Sequence, residues 1–164
     1  LISLVFLVAY LVSLSYKFNK IMKNNYLKYW RVIRRWVFVK HGLGYADLEM
    51  LLFLASEGHF SKGDFDEYNE IFPWKKGRFE DLRKRGHIVK WRKEAHNQKA
   101  LYAISRSTAG IIKSVYKKLD GSEIISENHN RMFSAKATYV DKVHRNFIKK
   151  INQELRQHRP PESP

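Results

Sequence analysis

Between Lys75 and Lys99 the chain carries ten Lys and Arg residues against three acids, Glu80, Asp81 and Glu94. Cations at that density, set among Trp74, Trp91, His96, Asn97 and Gln98, suit a polyanion: they attract phosphates through charge and counterion release without touching covalent bonds. Other chemistries lack their parts. There is no cysteine, which removes thiolate metal sites, disulfides and sulfur nucleophiles together. The seven histidines show no His-x-x-x-His spacing, and no Gly-rich phosphate loop, Gly-x-Ser-x-Gly elbow or His-Glu-x-x-His run occurs. The acids that cluster from Asp47 to Glu70 have no base or nucleophile beside them and are expected on the solvent faces of helices. The expectation is a protein without catalysis, metal or cofactor.

The 164 residues and net charge of +15 describe one domain with a real core and a preference for nucleic acid or an anionic membrane face. The charge is unevenly laid out. Residues 17–41 hold eight bases and no acid, residues 42–74 seven acids against Lys62, and residues 75–99 a net +7. A switch of sign at residue 75 is what a domain with one anion-facing side needs.

Positioning those cations takes a framework, and the periodicity supplies one. Leu27, Trp30, Ile33 and Val37 recur at helical spacing from Asn24 to His41, and Gly42 and Gly44 stop the run. Tyr45 to Glu57 is apolar enough to be the central core helix. Ser61 caps a short third helix, with Asp64 in its first turn and Phe65, Tyr68, Ile71 and Phe72 inward. Pro73 opens a fourth, Trp74 to Arg85, with Phe79 and Leu82 inward and Gly86 as its stop. The period then changes to two: His87–Lys93 and Ala100–Ile104 alternate and read as a β-hairpin. A helix from Ser105 or Ser107 to Leu119 follows, with Ile112, Val115, Tyr116 and Leu119 on one side. After a polar loop at 122–134, a long helix from about Ala135 to His158 carries the stripe Val140, Val143, Phe147, Ile151 and Leu155.

Three helices in succession, the last one basic, with a cation-tipped hairpin directly after it, is the order of a winged helix-turn-helix. A helix about 10–12 Å across fits the DNA major groove, and a two-stranded wing reaches the flanking backbone. The fold class expected is mainly α with a small β-hairpin, flanked by N- and C-terminal helices. The candidate DNA-binding residues are Trp74, Lys75, Lys76, Arg78 and Arg85 on the recognition helix, and Arg92, Lys93, His96, Asn97, Gln98 and Lys99 in the wing. Gly77 leaves room there for a phosphate.

The run Leu82-Arg83-Lys84-Arg85-Gly86-His87-Ile88 resembles the end of the recognition helix in the multiple-antibiotic-resistance regulator (MarR) family, LxxRG followed by two apolar positions. Ala100-Leu101-Tyr102-Ala103-Ile104-Ser105 and then Ala109-Gly110 resemble its second wing strand and the start of the next helix. The resemblance covers roughly residues 24–155. It implies a transcriptional regulator whose terminal helices form a homodimer, through Leu27, Trp30, Val37, Val140, Val143, Phe147, Ile151 and Leu155, and space two recognition helices one DNA turn apart. Two departures stand out: the wing reads Glu94-Ala95-His96-Asn97-Gln98-Lys99 where the family carries Asp-x-Arg-x-x-Arg, and Pro73-Trp74 replaces a Ser/Thr cap.

Ordinary alternatives accompany these assignments. Trp74 fits a gap beside Phe72 as well as it fits DNA, and Trp91, alternating with Val89, is expected in the core rather than as a stacking platform. Arg83 to Arg85 double as helix-end cations, and the Val140–Leu155 stripe as a surface packed on its own domain. The uncharged run Leu1–Tyr16, about 24 Å long as a helix, is short of the ~30 Å hydrocarbon core. It reads as the end of a membrane anchor, as a core helix, or as read-through upstream of a start at Met22. The resulting division is an apolar segment 1–21, a winged core 22–121, a loop and helix 122–158, and a disordered tail 159–164. The partners expected are double-stranded DNA, a second copy of the chain and a membrane through residues 1–16, with the basic domain cytoplasmic. The competing function is a winged-helix protein-interaction module tethered at the membrane.

Overall fold

The computed structural model describes residues 26–73, 75–96 and 98–158. The apolar segment, Trp74, Asn97 and the tail from residue 159 lie outside the described residues. In chain order the elements are α1 (Tyr26–His41), α2 (Tyr45–Glu57), α3 (Lys62–Asn69), α4 (Arg78–Lys84), β1 (Ile88–Arg92), β2 (Leu101–Ile104), α5 (Arg106–Leu119), a 3-10 turn (Arg131–Phe133) and α6 (Tyr139–His158). The fold is mainly helical with one two-stranded antiparallel sheet, and α2, α3, α4 and the hairpin follow in winged-helix order.

α2 is the core helix its composition announces: Leu48, Met50, Leu51 and Leu54 are fully buried. Around it pack Val32, Ile33, Trp36 and Val37 of α1, Phe65 of α3, Phe79 and Leu82 of α4, and Ile112 and Val115 of α5. α3 opens with a reciprocal cap. The Ser61 hydroxyl accepts from the Asp64 amide at 3.2 Å, and the Asp64 carboxylate accepts from the Ser61 amide at 2.8 Å, so two donors that a helix start leaves orphaned are satisfied together.

In the hairpin, Ile88, Val89 and Lys90 face Ile104, Ala103 and Tyr102, and a bulge then sets Arg92 opposite Leu101. Phe60, just before α3, pairs with Tyr102 through two backbone hydrogen bonds of 3.0 and 2.8 Å, so the sheet's second edge is occupied by a single residue.

α6 folds back along α1. Tyr29 donates to Glu154 at 3.1 Å, and Arg35 bonds Asp141 at 2.9 Å, so the two helices run antiparallel. Burial pushes the Asp141 carboxyl up, but hydrogen bonds from Arg35 and Thr138, with the Arg35 charge, outweigh it and hold the group below its usual range. The buried Asn152 of α6 exchanges hydrogen bonds with both backbone groups of Ile125, at 3.0 and 2.8 Å, and so pins the loop after α5. That loop is less polar in place than in sequence, since Ile125 and Met132 are buried. Gly121, at φ +80, ends α5 where a Cβ would stand 2.6 Å from Leu155. No side chain larger than hydrogen suits either the backbone angle or the space.

Four expectations are corrected. α4 starts at Arg78 rather than Trp74, because Gly77 takes a left-handed conformation, φ 74, at its N-cap. The space beside Gly77 is open, so its glycine serves the backbone angle. α6 begins at Tyr139 rather than near Ala135, where the Thr138 hydroxyl caps the Asp141 amide at 3.2 Å. Ile71 and Tyr116, expected inside, are 73% and 54% exposed.

Candidate nucleic-acid interface

Asp47 organises the region that sequence reading assigned to DNA. It lies on α2 at i, i+4 and i+7 with Leu51 and Leu54, so the helix carries it inward, and it is 7% exposed. A buried carboxylate needs cationic partners. Three come from around α4: Arg78 Nε at 3.3 Å from Oδ1, and Lys75 Nζ and Arg85 Nη1 at 3.6 and 3.5 Å from Oδ2. This corrects the expectation that the acids between 47 and 70 all face solvent.

The same cluster removes Arg78 from the candidate contact set. Its side chain is 3% exposed and is further held by Asn69 Oδ1 and by the Pro73 carbonyl at 2.7 Å. Arg78 is therefore a strut between α2 and the turn before α4, not a surface cation. Arg85 is half committed, donating to the Gly42 carbonyl at 2.8 Å as well as facing Asp47. Lys75 is shared between Asp47 and Asp81, the latter at 3.1 Å.

The outer face of α4 is charge-balanced. Glu80 and Asp81 occupy its first turn, Arg83 lies 3.5 Å from Glu80, and Lys84 is exposed. Lys76, in the turn ahead, is exposed as well. Neither Lys76 nor Lys84 makes an ion pair among the described residues. Phe79 and Leu82 turn inward as expected, and Phe79 packs edge-on against Phe65 and Tyr102.

The hairpin contrasts with this. Arg92, Lys93, His96, Gln98 and Lys99 are all exposed, and the tip closes through an Ala95–Gln98 bridge. Arg92 donates to the Lys99 carbonyl at 3.4 Å, and among the described residues neither Arg92 nor Lys93 has an acidic partner. Trp91 overturns its core assignment. It is 57% exposed, Val89 beside it 43%, and its ring lies 4.1 Å from that of His59. Val89 and Trp91 are thus residues of β1 that the core leaves uncovered.

Against known proteins, neither a family-wide sequence pattern nor a curated sequence matches this chain. Among solved structures, a transcriptional regulator of the MarR family from Silicibacter pomeroyi is similar, with 18% identity over 91% of this chain and 92% of that one and a TM-score of 0.41.

The candidate dimerisation residues divide. Val37 and Ile151 are buried in the chain's own core, and Trp30 and Leu155 pack against it, so these four are spoken for. Leu27 at 82%, Val140 at 49%, Val143 at 37% and Phe147 at 52% remain exposed. At about 100° per residue, the apolar arc of α6 is wider than the core it meets. Ile148 and Ile151 fill the core, while Val140, Val143 and Phe147 lie on the uncovered flank.

Behind α4, His87 Nδ1 lies 3.0 Å from the Thr108 hydroxyl. Burial first, and then the Arg85 charge, lower its pKa against a smaller opposing pull from Asp47. His41 is lowered likewise by burial, then by Lys40, Lys118 and His87. Lys118 is itself buried, paired with Glu123 and lying 4.4 Å from the Trp36 ring. Among the described residues no group of three or more His, Asp or Glu is placed to hold a metal ion, and no helix is long and apolar enough to cross a membrane.

Of the residues that sequence reading misassigned, Asp47 and Trp91 differ in whether a signal could have found them. The first left a legible signal, an acid in phase with the buried leucines of its helix. The second did not, because alternation gives the same pattern whichever sheet face is covered.

Proposed function

We propose that this chain is a non-enzymatic DNA-binding regulator of winged-helix type, and that the hairpin, more than α4, supplies its electrostatic grip on the duplex. The observation that carries this is the set of exposed hairpin cations Arg92, Lys93 and Lys99, none in an ion pair among the described residues, with Lys76 before α4 and Lys84 at its end exposed and likewise without an ion pair among them. A cation without an acid partner keeps its attraction for phosphate, whereas one already paired must first give up that partner. Lys75 and Arg85, shared with Asp47, supply a weaker second set. The test is duplex affinity as a function of salt. The slope of log affinity against log salt should fall by about 0.9 for each phosphate that is no longer neutralised, so Arg92→Ala with Lys93→Ala should lower it by nearly two. An unchanged slope in that double variant, or affinity indifferent to salt in the parent, refutes the reading.

The uncovered flank of α6 supports a second copy of the chain as partner. Tyr139, 81% exposed, continues the Val140–Val143–Phe147 stripe. Apolar residues contiguous along a helix favour burial against a like surface. Phe147→Glu should then convert a dimer to a monomer in sedimentation analysis, and a parent that sediments as a monomer at high concentration refutes this part.

The membrane-tethered alternative rests on residues outside the described ones, and no observation on residues 26–158 favours it.

A further inference from the structure

We propose that Trp91, backed by His59, is a stacking platform for an unpaired nucleobase, so that the open face of the hairpin sheet binds single-stranded nucleic acid. The sheet sorts its residues by pleat. Ile88, Tyr102 and Phe60 face the core, all 7% exposed or less, and Lys90, paired with Tyr102, lies 6.0 Å from that ring. Val89 and its partner Ala103 take the opposite face, and Trp91, at the bulge, is placed by its ring contact with His59, the residue before the core-facing Phe60. On that face Val89 is 43% exposed, and Trp91, the largest side chain of the hairpin, is 57% exposed beside an imidazole at 4.1 Å and 38°. An exposed indole on a rigid strand offers a π-face to a flat ring at little conformational cost.

Charge chooses the ligand that brings the ring. From residue 92 to 99 the chain carries Arg92, Lys93 and Lys99 against Glu94 alone, and Arg92 and Lys93 follow Trp91 within about 7 Å along the strand direction. A flat ring and a regularly spaced anion belong together in a nucleotide strand, where aromatic stacking and a cationic track are the usual pair of interactions. An apolar protein surface would gain the indole but meet the cations without compensation. Paired bases keep their faces inside the duplex, so this site is separate from the duplex reading and stands or falls without it.

The experiment uses the full chain and a labelled oligothymidylate of about 15 nucleotides, followed by fluorescence anisotropy beside an abasic strand of equal length and charge. The parent should prefer the thymidylate. Trp91→Ala should weaken that binding by about 5- to 150-fold per stacked base and leave the abasic strand unaffected, while Trp91→Phe should retain most of the preference and circular dichroism confirms its fold. His59→Ala should give a smaller loss. Equal affinity of the parent for both strands, or a Trp91→Ala loss shared equally between them, overturns the proposal. So does a parent that self-associates through this face, shown when Trp91→Ala abolishes the association and leaves strand binding unchanged. Duplex titration of the same variants separates the two readings: a Trp91-dependent preference with no salt-dependent duplex binding removes the proposed function and keeps this one.

Discussion

The turn and helix around α4 and the hairpin that follows it are both cationic in sequence, net +4 over residues 75–85 and +3 over 88–99, and opposite in structure. Around α4, Lys75, Arg78 and Arg85 converge on one buried carboxylate, and Arg83 is matched by Glu80 one turn away. In the hairpin, Arg92, Lys93 and Lys99 are exposed and form no ion pair among the described residues. A positive charge near a buried acid becomes part of the scaffold, because leaving that acid alone costs more than constraining the side chain. A positive charge on a two-stranded ribbon has no interior to serve and stays available to a ligand. The basic stretch therefore divides into a strut and a set of exposed cations.

That division is most severely tested at Asp47. Asp47→Asn strands Arg78 in the interior without its counter-charge, and should lower unfolding stability by about 3–5 kcal/mol, read as a shift of the urea midpoint at unchanged slope. Removing both partners in Asp47→Asn with Arg78→Met should recover a good part of the loss. A midpoint unmoved by Asp47→Asn would erase the distinction between the regions. Gly77→Ala comes next. It forces a β-carbon into the left-handed backbone ahead of α4 and should cost about 1–2 kcal/mol, with no effect on the hairpin. The reciprocal test is the pair Arg92→Ala and Lys93→Ala, which should change stability by no more than about 0.5 kcal/mol while the salt slope of duplex binding falls by nearly two. If it is the hairpin pair that unfolds the protein, the assignments are reversed.

The smallest effect is a pH dependence that sharpens the scaffold half. His41 and His87 are both held below the ordinary histidine value, chiefly by burial. The unfolded chain then binds more protons than the folded one between the two values, so stability falls as pH drops through the unfolded histidine range near 6.5 and levels off below the folded pKa. The melting temperature should decline from about pH 7.5 to about 5.5, and His87→Gln should flatten part of that decline. A melting temperature that rises on acidification over this range would contradict the burial of both rings.

Much of the framework was legible along the chain. The capped start of α3, the apolar α2, the alternation of the hairpin and its glycine-marked entry all arise from local rules that neighbours in sequence satisfy: a hydroxyl three residues before an amide donor, leucines at helical spacing, β-branched residues at a period of two. Asp47 was legible in principle by its phase with Leu51 and Leu54, although its three partners, Lys75, Arg78 and Arg85, lie far along the chain and no spacing rule links them. The stripe of α6 shows where periodicity stops informing. It marks Val140, Val143, Phe147, Ile151 and Leu155 as one surface, and only packing against α1 and the Ile125 loop separates the members that are covered from those that are not.

By itself the sequence determined which segments are helical, where the hairpin falls and that the chain carries a net charge of +15, since backbone preference, side-chain period and net charge are properties of short stretches or of the whole composition. The tertiary structure decided which cations are free, that Arg78 is structural, and that Trp91 faces outward. Each of those depends on what another part of the chain places opposite a side chain, and burial and pairing are properties of two surfaces meeting rather than of either one alone.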